Sequence, residues 1–355
     1  MRASAKSLAK PDPGLWAVVL AGGIGSRFWP VSTPARPKQL LPLGSEDPLI
    51  VDTTRRARAL VSDDRLRILA GDHLVRPFQS VLDLPDSSYW VEPAVRGTCP
   101  VLAWAAWEIH QQDPDAVMVS LHSDHRIEPL SALQETVFAA AQIARRDELL
   151  LCIGAAPDRI ETGYGHVEPG APIPSDEGIE AFHVSAFHEK PDAETADRYV
   201  KAGFLWNTGI FVWKASTFLA EVERHAPEVA ACLPLLEESP ERFFSEVPVC
   251  VVDTAIMERS DRVGTVKALF DWDDVGSWGA LTRTREADAD GNRIVGDGAA
   301  VDGSGNIVFS EAGKVVLFGM DDTVAVRTGD VTLVMPRDKA ADVKALLKAL
   351  EDADS

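Results

Sequence analysis

The sequence predicts an α/β domain built on a mixed, mostly parallel sheet, followed by a small β-rich domain that ends in a helix. Three observations carry this. Short apolar runs alternate with helical patterns through the first half of the chain. The first of those runs passes directly into glycines, as a buried parallel strand does when it enters a loop. After about Leu281 the composition changes to short β-rich runs broken by Gly, Asp and Asn. The expected organisation is a disordered lead-in over 1–14, a catalytic-sized domain over 15–285 and a β-rich domain over 286–355.

The elements follow from periodicity. Leu15–Leu20 (LWAVVL) is β-branched at its centre and reads as the first strand. Thr98 reads as an N-cap, with Pro100 in the first turn and Leu102, Ala105, Ala106 and Ile109 on one helical stripe. A strand at 116–121 runs into His122-Ser123-Asp124-His125, and a helix over 130–146 and a strand over 149–153 come next. Further strands are expected at 181–187, 209–213 and 263–270, with a helix between Glu194 and Ala202 stopped by Gly203. These later runs break strict alternation, which is why the sheet is expected to be mixed. No strict long repeat is read in the C-terminal region, and Val343, Leu346, Leu347 and Leu350 form the stripe of a last helix.

Charge narrows the partners. The chain has 355 residues, 35 Lys plus Arg and 55 Asp plus Glu, for a formal net charge of −20. Such a chain is not expected to bind nucleic acid or an anionic membrane surface. No apolar run is long enough for a membrane span. The basic N-terminus lacks the apolar core of a secretion signal, so a cytoplasmic protein is expected. Cys99, Cys152, Cys232 and Cys250 show no CxxC spacing and read as reduced structural thiols. The eight histidines show no HxH or HExxH spacing, so no zinc or iron centre is expected.

Against this acidic background one segment stands out. Between Gly14 and Ser45 there is no Asp or Glu, while Arg27, Arg36 and Lys38 are present. Phe28 occupies the third glycine position of a dinucleotide fingerprint, and the P-loop pattern is absent. Glycines alone read equally as a tight structural turn. With three cations beside them they read as a polyphosphate site, where backbone N–H groups approach an anion and Arg and Lys neutralise it.

The stretch LAGGIGSRFWPVSTPARPKQLLPL at 20–43 resembles the signature of sugar-1-phosphate nucleotidylyltransferases, in particular mannose-1-phosphate guanylyltransferases. Further matches follow in order: EPAVRGT at 92–98, SDHRI at 123–127, ETGYGHV at 161–167, FHEKP at 187–191, FLWNTGIFVW at 204–213 and WDDVGSW at 272–278. The resemblance spans roughly 15–350. It implies a Rossmann-like, GT-A type nucleotidyltransferase domain with a small β-helix-like C-terminal domain. The implied reaction joins GTP and α-D-mannose 1-phosphate into GDP-mannose and pyrophosphate.

That chemistry sets requirements. A phosphate monoester's second pKa is about 6, so the attacking oxygen is already ionised and no strong general base is needed. The barrier is repulsion between anions and charge on the leaving group, so cations and a metal are needed rather than a triad. The resemblance assigns Arg27, Lys38 and Lys190 to catalysis, with Lys190 on the sugar phosphate. Leu20, Gly22, Gly23, Gly25, Glu92, Arg96 and Thr98 are assigned to the nucleotide. Arg96 and Thr98 serve equally as structural residues before the helix. Glu92 can accept from guanine N1–H and N2–H₂, and it stands where thymidylyl- and uridylyltransferases carry Gln. Gly165, Glu189 and Asn207 are assigned to the sugar. Asp124 and Asp274 are the expected Mg²⁺ ligands, with Mn²⁺ as the alternative ion and Asp273 as the competing neighbour.

The sequence departs from the pattern at Thr33, where many relatives have Arg and where Arg36 is the available substitute, and at His166, where an aromatic is common. These leave open another manno-configured substrate such as a heptose 1-phosphate. A non-catalytic GDP-mannose-binding regulatory subunit is the alternative from another class, opposed by retention of Lys38, Asp124 and Asp274. No phosphomannose isomerase activity is expected, since no cupin-like domain follows. A homodimer is an open expectation.

Overall fold

The computed structural model describes residues 8–23 and 25–354. Residues 1–7 of the expected lead-in lie outside the described residues. Residues 8–14 are held rather than free. Ala9 and the Gln134 amide exchange two hydrogen bonds, Asp12 pairs with Arg145 at 2.7 Å, and the Asp12 N–H donates to the Leu60 carbonyl.

Contacts group the described chain into two compact units. The first takes the N-terminal residues to Gly22 with 53–122 and 127–272, and the second takes Gly23 to Asp52 with 123–126 and 273 onward.

The first unit is organised by a nine-stranded sheet. Its strands are β1 (Leu15–Leu20), β2 (Leu66–Ala70), β3 (Tyr89–Val91), β4 (Val117–His122), β5 (Leu150–Ala155), β6 (His166–Pro172), β7 (Ala181–His188), β8 (Leu205–Lys214) and β9 (Val263–Lys267). They lie in the order β3-β2-β1-β4-β8-β5-β9-β7-β6. β8 and β7 run against the other seven, so the sheet is mixed and mostly parallel. β1 is buried on both faces: Trp16 and Val18 join one cluster with the helix Thr98–Gln112, while Leu15, Ala17 and Val19 are buried outside it. This is why LWAVVL is continuously apolar instead of alternating.

Helix boundaries fall close to those the periodicity predicts, at Thr98–Gln112, Leu130–Asp147 and Ala193–Ala202. Gly203 stops the last of these with φ of 84°. Thr98 is not the N-cap. It is the first helical residue, and its Oγ1 accepts from the Val252 N–H at 3.0 Å. β8 begins four residues earlier than the Gly209 expected, and β6, which pairs with β7 along its length and with β8 at His166 and Val167, carries Pro169 and Pro172 and has no counterpart in the sequence reading.

The second unit contains a four-stranded coil, β10 (Arg293–Val301), β11 (Ile307–Phe318), β12 (Thr323–Arg327) and β13 (Thr332–Pro336), followed by the helix Val343–Asp354. β10, β11 and β12 stack in parallel, and β13 returns antiparallel to β12. Equivalent positions on successive rungs carry Asn292, Asn306 and Thr323. Asn306 donates from its backbone N–H and its side-chain amide to Asn292 Oδ1, both at 3.0 Å, and its own Oδ1 accepts the Thr323 N–H at 3.0 Å. Both asparagines are buried. The repeated Gly-Asn before Arg293-Ile and before Ile307-Val is therefore a structural repeat, which the sequence reading did not recognise.

The core of this unit joins the N-terminal loop to the C-terminal coil. Phe28, Val31, Leu41 and Leu43 pack with Trp278, Ile307, Phe309 and Val326. Trp278 meets Phe28 and Phe309 with ring centroids 5.1 Å away in each case, and its indole N–H donates to the Trp29 carbonyl. Of the last helix's stripe Val343 is buried, whereas Leu350 is 42 % exposed.

Asn306→Ala would leave the Thr323 N–H and the Met320 carbonyl without their side-chain partner, while Asn292 Oδ1 keeps the backbone N–H of residue 306. Removing such a partner costs about 1–3 kcal/mol, to be read as a lowered urea midpoint, with an exposed Asp297→Ala change as a near-silent control.

Candidate active site

In the second unit the candidate residues converge on Lys38. This lysine is only 5 % exposed, and its ammonium donates to Asp124 Oδ2 at 2.9 Å and to the main-chain carbonyl of Asp274 at 3.0 Å. It also lies 5.6 Å from the centroid of the Phe28 ring. Burying an ammonium is tolerated where it is paired and hydrogen-bonded. Lys38 opens a single helical turn, Lys38–Leu40, directly after Pro37. Gly25 explains how the loop passes so close. It has φ of 71°, and a Cβ there would sit 2.2 Å from Lys38 Cβ, so only glycine fits. Gly23 is exposed, and its carbonyl accepts from the Gln39 amide at 2.6 Å. Arg27 is exposed on the turn Ser26–Phe28.

The two neighbouring aspartates have different surroundings. Asp273 is buried, accepts from the Arg283 guanidinium and receives the Val275 N–H at 2.8 Å. Asp274 supplies the carbonyl that holds Lys38, and a Cβ on Gly276 would lie 2.6 Å from its Oδ2. Val275, which follows them, has φ of 46°, which is costly for a β-branched residue. Asp124 and Asp274 thus meet at one ammonium, and as hard oxygen donors they fit Mg²⁺ by chemistry. Arg36, the suggested stand-in for the arginine absent at Thr33, forms an ion pair with Glu311 and its backbone pairs with Thr33. That guanidinium is committed to the C-terminal coil, so the substitution is not what the geometry presents.

In the first unit Leu20 ends β1 and is half-buried, and Gly22 follows it, exposed. A Cβ on Gly22 would stand 3.3 Å from Glu92 Oε2, so the Glu92 carboxylate borders the glycine loop. Glu92 leaves β3 with its N–H bonded to the Ala70 carbonyl at 2.9 Å. Burial pushes its carboxyl above the usual range, and the Arg96 N–H it accepts partly offsets this. The Arg96 side chain itself points elsewhere: its Nε donates to the Phe244 carbonyl at 2.9 Å and a terminal nitrogen reaches Ser245. Arg96 and Thr98 therefore have structural partners, on Phe244–Ser245 and Val252.

The residues expected on the sugar gather in a second cluster of the same unit. The Asn207 N–H donates to the Gly165 carbonyl at 2.8 Å, and a Cβ on Gly165 would lie 2.8 Å from Glu189 Oε2 and 3.3 Å from Asn207 Cβ. Lys190 pairs with Glu189, and it too has left-handed backbone, with φ of 48°. His166 is fully buried, bonded through Nδ1 to the Tyr164 carbonyl, and burial lowers its pKa.

One residue here was missed. Asp253 opens the π-helical turn Asp253–Met257, and its Oδ1 accepts from the Asn207 amide at 2.8 Å while Asn207 Oδ1 receives the Gly209 N–H. Burial, and next the charge of Glu189, push its carboxyl up to about 6. The available clue was a single carboxylate in the otherwise uncharged run 249–257.

The nucleotidyl transferase family matches residues 16–291, and the MannoseP isomerase/GMP-like beta-helix domain matches 296–350. Alginate biosynthesis protein AlgA of Pseudomonas syringae pv. tomato is 34 % identical over 349 residues, covering 94 % of this chain and 71 % of that one. A mannose-1-phosphate guanylyltransferase of Escherichia coli is 32 % identical over 350 residues, covering 95 % and 74 %. A crystal structure described as a mannose-1-phosphate geranyltransferase from Thermus thermophilus superposes with a TM-score of 0.86 at 30 % identity, covering 95 % of this chain and 99 % of that one.

Asp253 makes stability depend on pH in a stated direction. Its carboxyl is raised from 3.8 to about 6, so its contribution is fullest below pH 3.8 and is lost as pH rises through 6. Asp253→Asn keeps the Asn207 acceptor and cannot ionise. The stability of the native chain should fall relative to this variant between about pH 4 and pH 6.5, by roughly 1–3 kcal/mol, in parallel urea titrations. A constant difference across that window would remove the burial argument.

Proposed function

We propose that this chain, which belongs to the nucleotidyl transferase family, transfers GMP from GTP to α-D-mannose 1-phosphate, giving GDP-mannose and pyrophosphate. The observation that carries the reading is the Lys38 ammonium held between the Asp124 carboxylate and the Asp274 carbonyl. A phosphate oxygen of the sugar phosphate attacks the α-phosphorus of GTP. The bond from that phosphorus to the oxygen bridging to the β-phosphate breaks, and the pyrophosphate leaves with the electron pair.

Each residue has a part in that account. Two hydrogens of the Lys38 ammonium are held by Asp124 and Asp274, and the third is assigned to a triphosphate oxygen. Arg27, exposed at the loop, adds charge to the leaving group. Glu92 receives the two guanine donors, with Leu20, Gly22, Gly23 and Gly25 forming the loop against which the nucleotide lies. Lys190 holds the sugar phosphate. Glu189 and Asn207 accept and donate to sugar hydroxyls, with Gly165 leaving them room. Asp124 and Asp274 are the proposed ligands of Mg²⁺, which when bound supplies charge neutralisation at the phosphates. The division into 15–285 and 286–355 is proposed as catalytic and β-coil parts. Among the described residues no helix is long and apolar enough to cross a membrane, and we place the reaction in the cytoplasm.

The test is incubation with GTP, Mg²⁺ and a panel of mannose, glucose and heptose 1-phosphates, following pyrophosphate and nucleotide-sugar formation. GDP-mannose should be the main product. Absence of a GDP-sugar from every manno-configured donor would defeat the proposal, and preference for the heptose would move the substrate while keeping the class.

Glu92→Gln tests base reading. Loss of a charged hydrogen-bond acceptor should lower kcat/KM for GTP by about 10–100-fold, with a relative gain for UTP or dTTP. Unchanged GTP preference would take Glu92 out of that role.

A further inference from the structure

Two of the four cysteines are neighbours in the fold although 151 positions apart in sequence (250 − 99). Cys99 lies in the first turn of the helix Thr98–Gln112 and is fully buried. Cys250 is partly exposed and packs on the same apolar cluster. The Cys99 N–H donates to the Cys250 carbonyl at 3.2 Å, and the Cys250 N–H donates to the Arg96 carbonyl at 2.9 Å. The direct bond sets the two backbones side by side, and a disulfide bridges Cα atoms about 4.4–6.8 Å apart. The two thiols are neighbours as well, each the first influence on the other's ionisation.

We propose that Cys99 and Cys250 form a peroxide-sensitive dithiol, closing reversibly to an internal disulfide. Both are free thiols in the structure, which agrees with the reduced reading of the sequence and defines the starting state.

The arrangement divides the roles. The hydrogen bond from Cys99 lowers the Cys250 thiol, against burial and the Glu228 charge, and raises Cys99. Cys250 is the sulfur that solvent reaches, whereas Cys99 is fully buried, so Cys250 is the one that meets peroxide first. Its thiolate attacks one oxygen of hydrogen peroxide, the O–O bond breaks, hydroxide leaves and a sulfenic acid forms. The Cys99 sulfur then attacks the Cys250 sulfur, an S–S bond forms, the S–O bond breaks and the departing hydroxyl takes the Cys99 proton as water. Both sulfurs are oxidised by one unit and peroxide is reduced to two waters. The bond ties the connection that carries Glu92 to the segment that carries Asp253.

The experiment treats the folded, full-length chain with hydrogen peroxide, blocks remaining thiols by alkylation and maps the peptides. A Cys99–Cys250 linked peptide, two hydrogen masses lighter than its parts and released by dithiothreitol, is expected. Cys250→Ser should abolish it and Cys232→Ser should leave it intact. Failure to find that peptide, with Cys250 recovered as thiol or as unlinked sulfinic acid, would overturn the proposal. So would a linked peptide that contains Cys232 in place of either partner.

Discussion

A buried ammonium is the constraint around which the second unit is arranged. Lys38 has almost no contact with water, so its charge has to be compensated by protein oxygens. One comes from Asp124, just after the strand Val117–His122, and the other from Asp274, 236 residues away in sequence. Holding both requires loops with strained or glycine-only backbone. Gly25 lies against the lysine stem with left-handed backbone, and Val275 accepts left-handed φ beside the aspartate. Strain of this kind persists only where surrounding packing over-determines it, and here Trp278, Phe28 and Phe309 supply that packing.

The net charge of −20 makes the arrangement more pointed. Two phosphorylated reactants are repelled by the protein as a whole and by each other. A positively charged segment free of carboxylates, from Gly14 to Ser45, is the place proposed for them to bind. The carboxylates that do approach it each have a defined place, with Asp273 on Arg283, Asp124 on Lys38 and Glu92 beside the glycine loop. In the first unit the same logic recurs around Asn207, whose amide is oriented by Asp253 and whose oxygen holds the Gly209 N–H.

Much of this was legible in the sequence because it is local. Apolar continuity marks the strand Leu15–Leu20, helical stripes mark Thr98–Gln112 and Leu130–Asp147, and Gly203 marks a helix end. The motifs around Lys38, Glu189 and Asn207 could be read as letters. What could not be read depends on distant partners. Arg96 looked available for a ligand until Phe244 and Ser245 took its nitrogens, and Arg36 until Glu311 took its charge. Asp253 had no motif, and its role is visible only once Asn207 lies beside it. The strand His166–Pro172 was hidden by its prolines, and the asparagine ladder by unequal rung lengths.

The central claim is that the Lys38 cation acts on charge developing during transfer rather than merely retaining nucleotide. Single-turnover formation of GDP-mannose by Lys38→Met, measured beside its equilibrium affinity for GTP, addresses it directly. The account predicts a rate lowered by about 100–1,000-fold, as for loss of one preorganised donor, with GTP affinity changed far less. A variant that turns over at the native rate, or whose whole defect lies in GTP affinity, would contradict it.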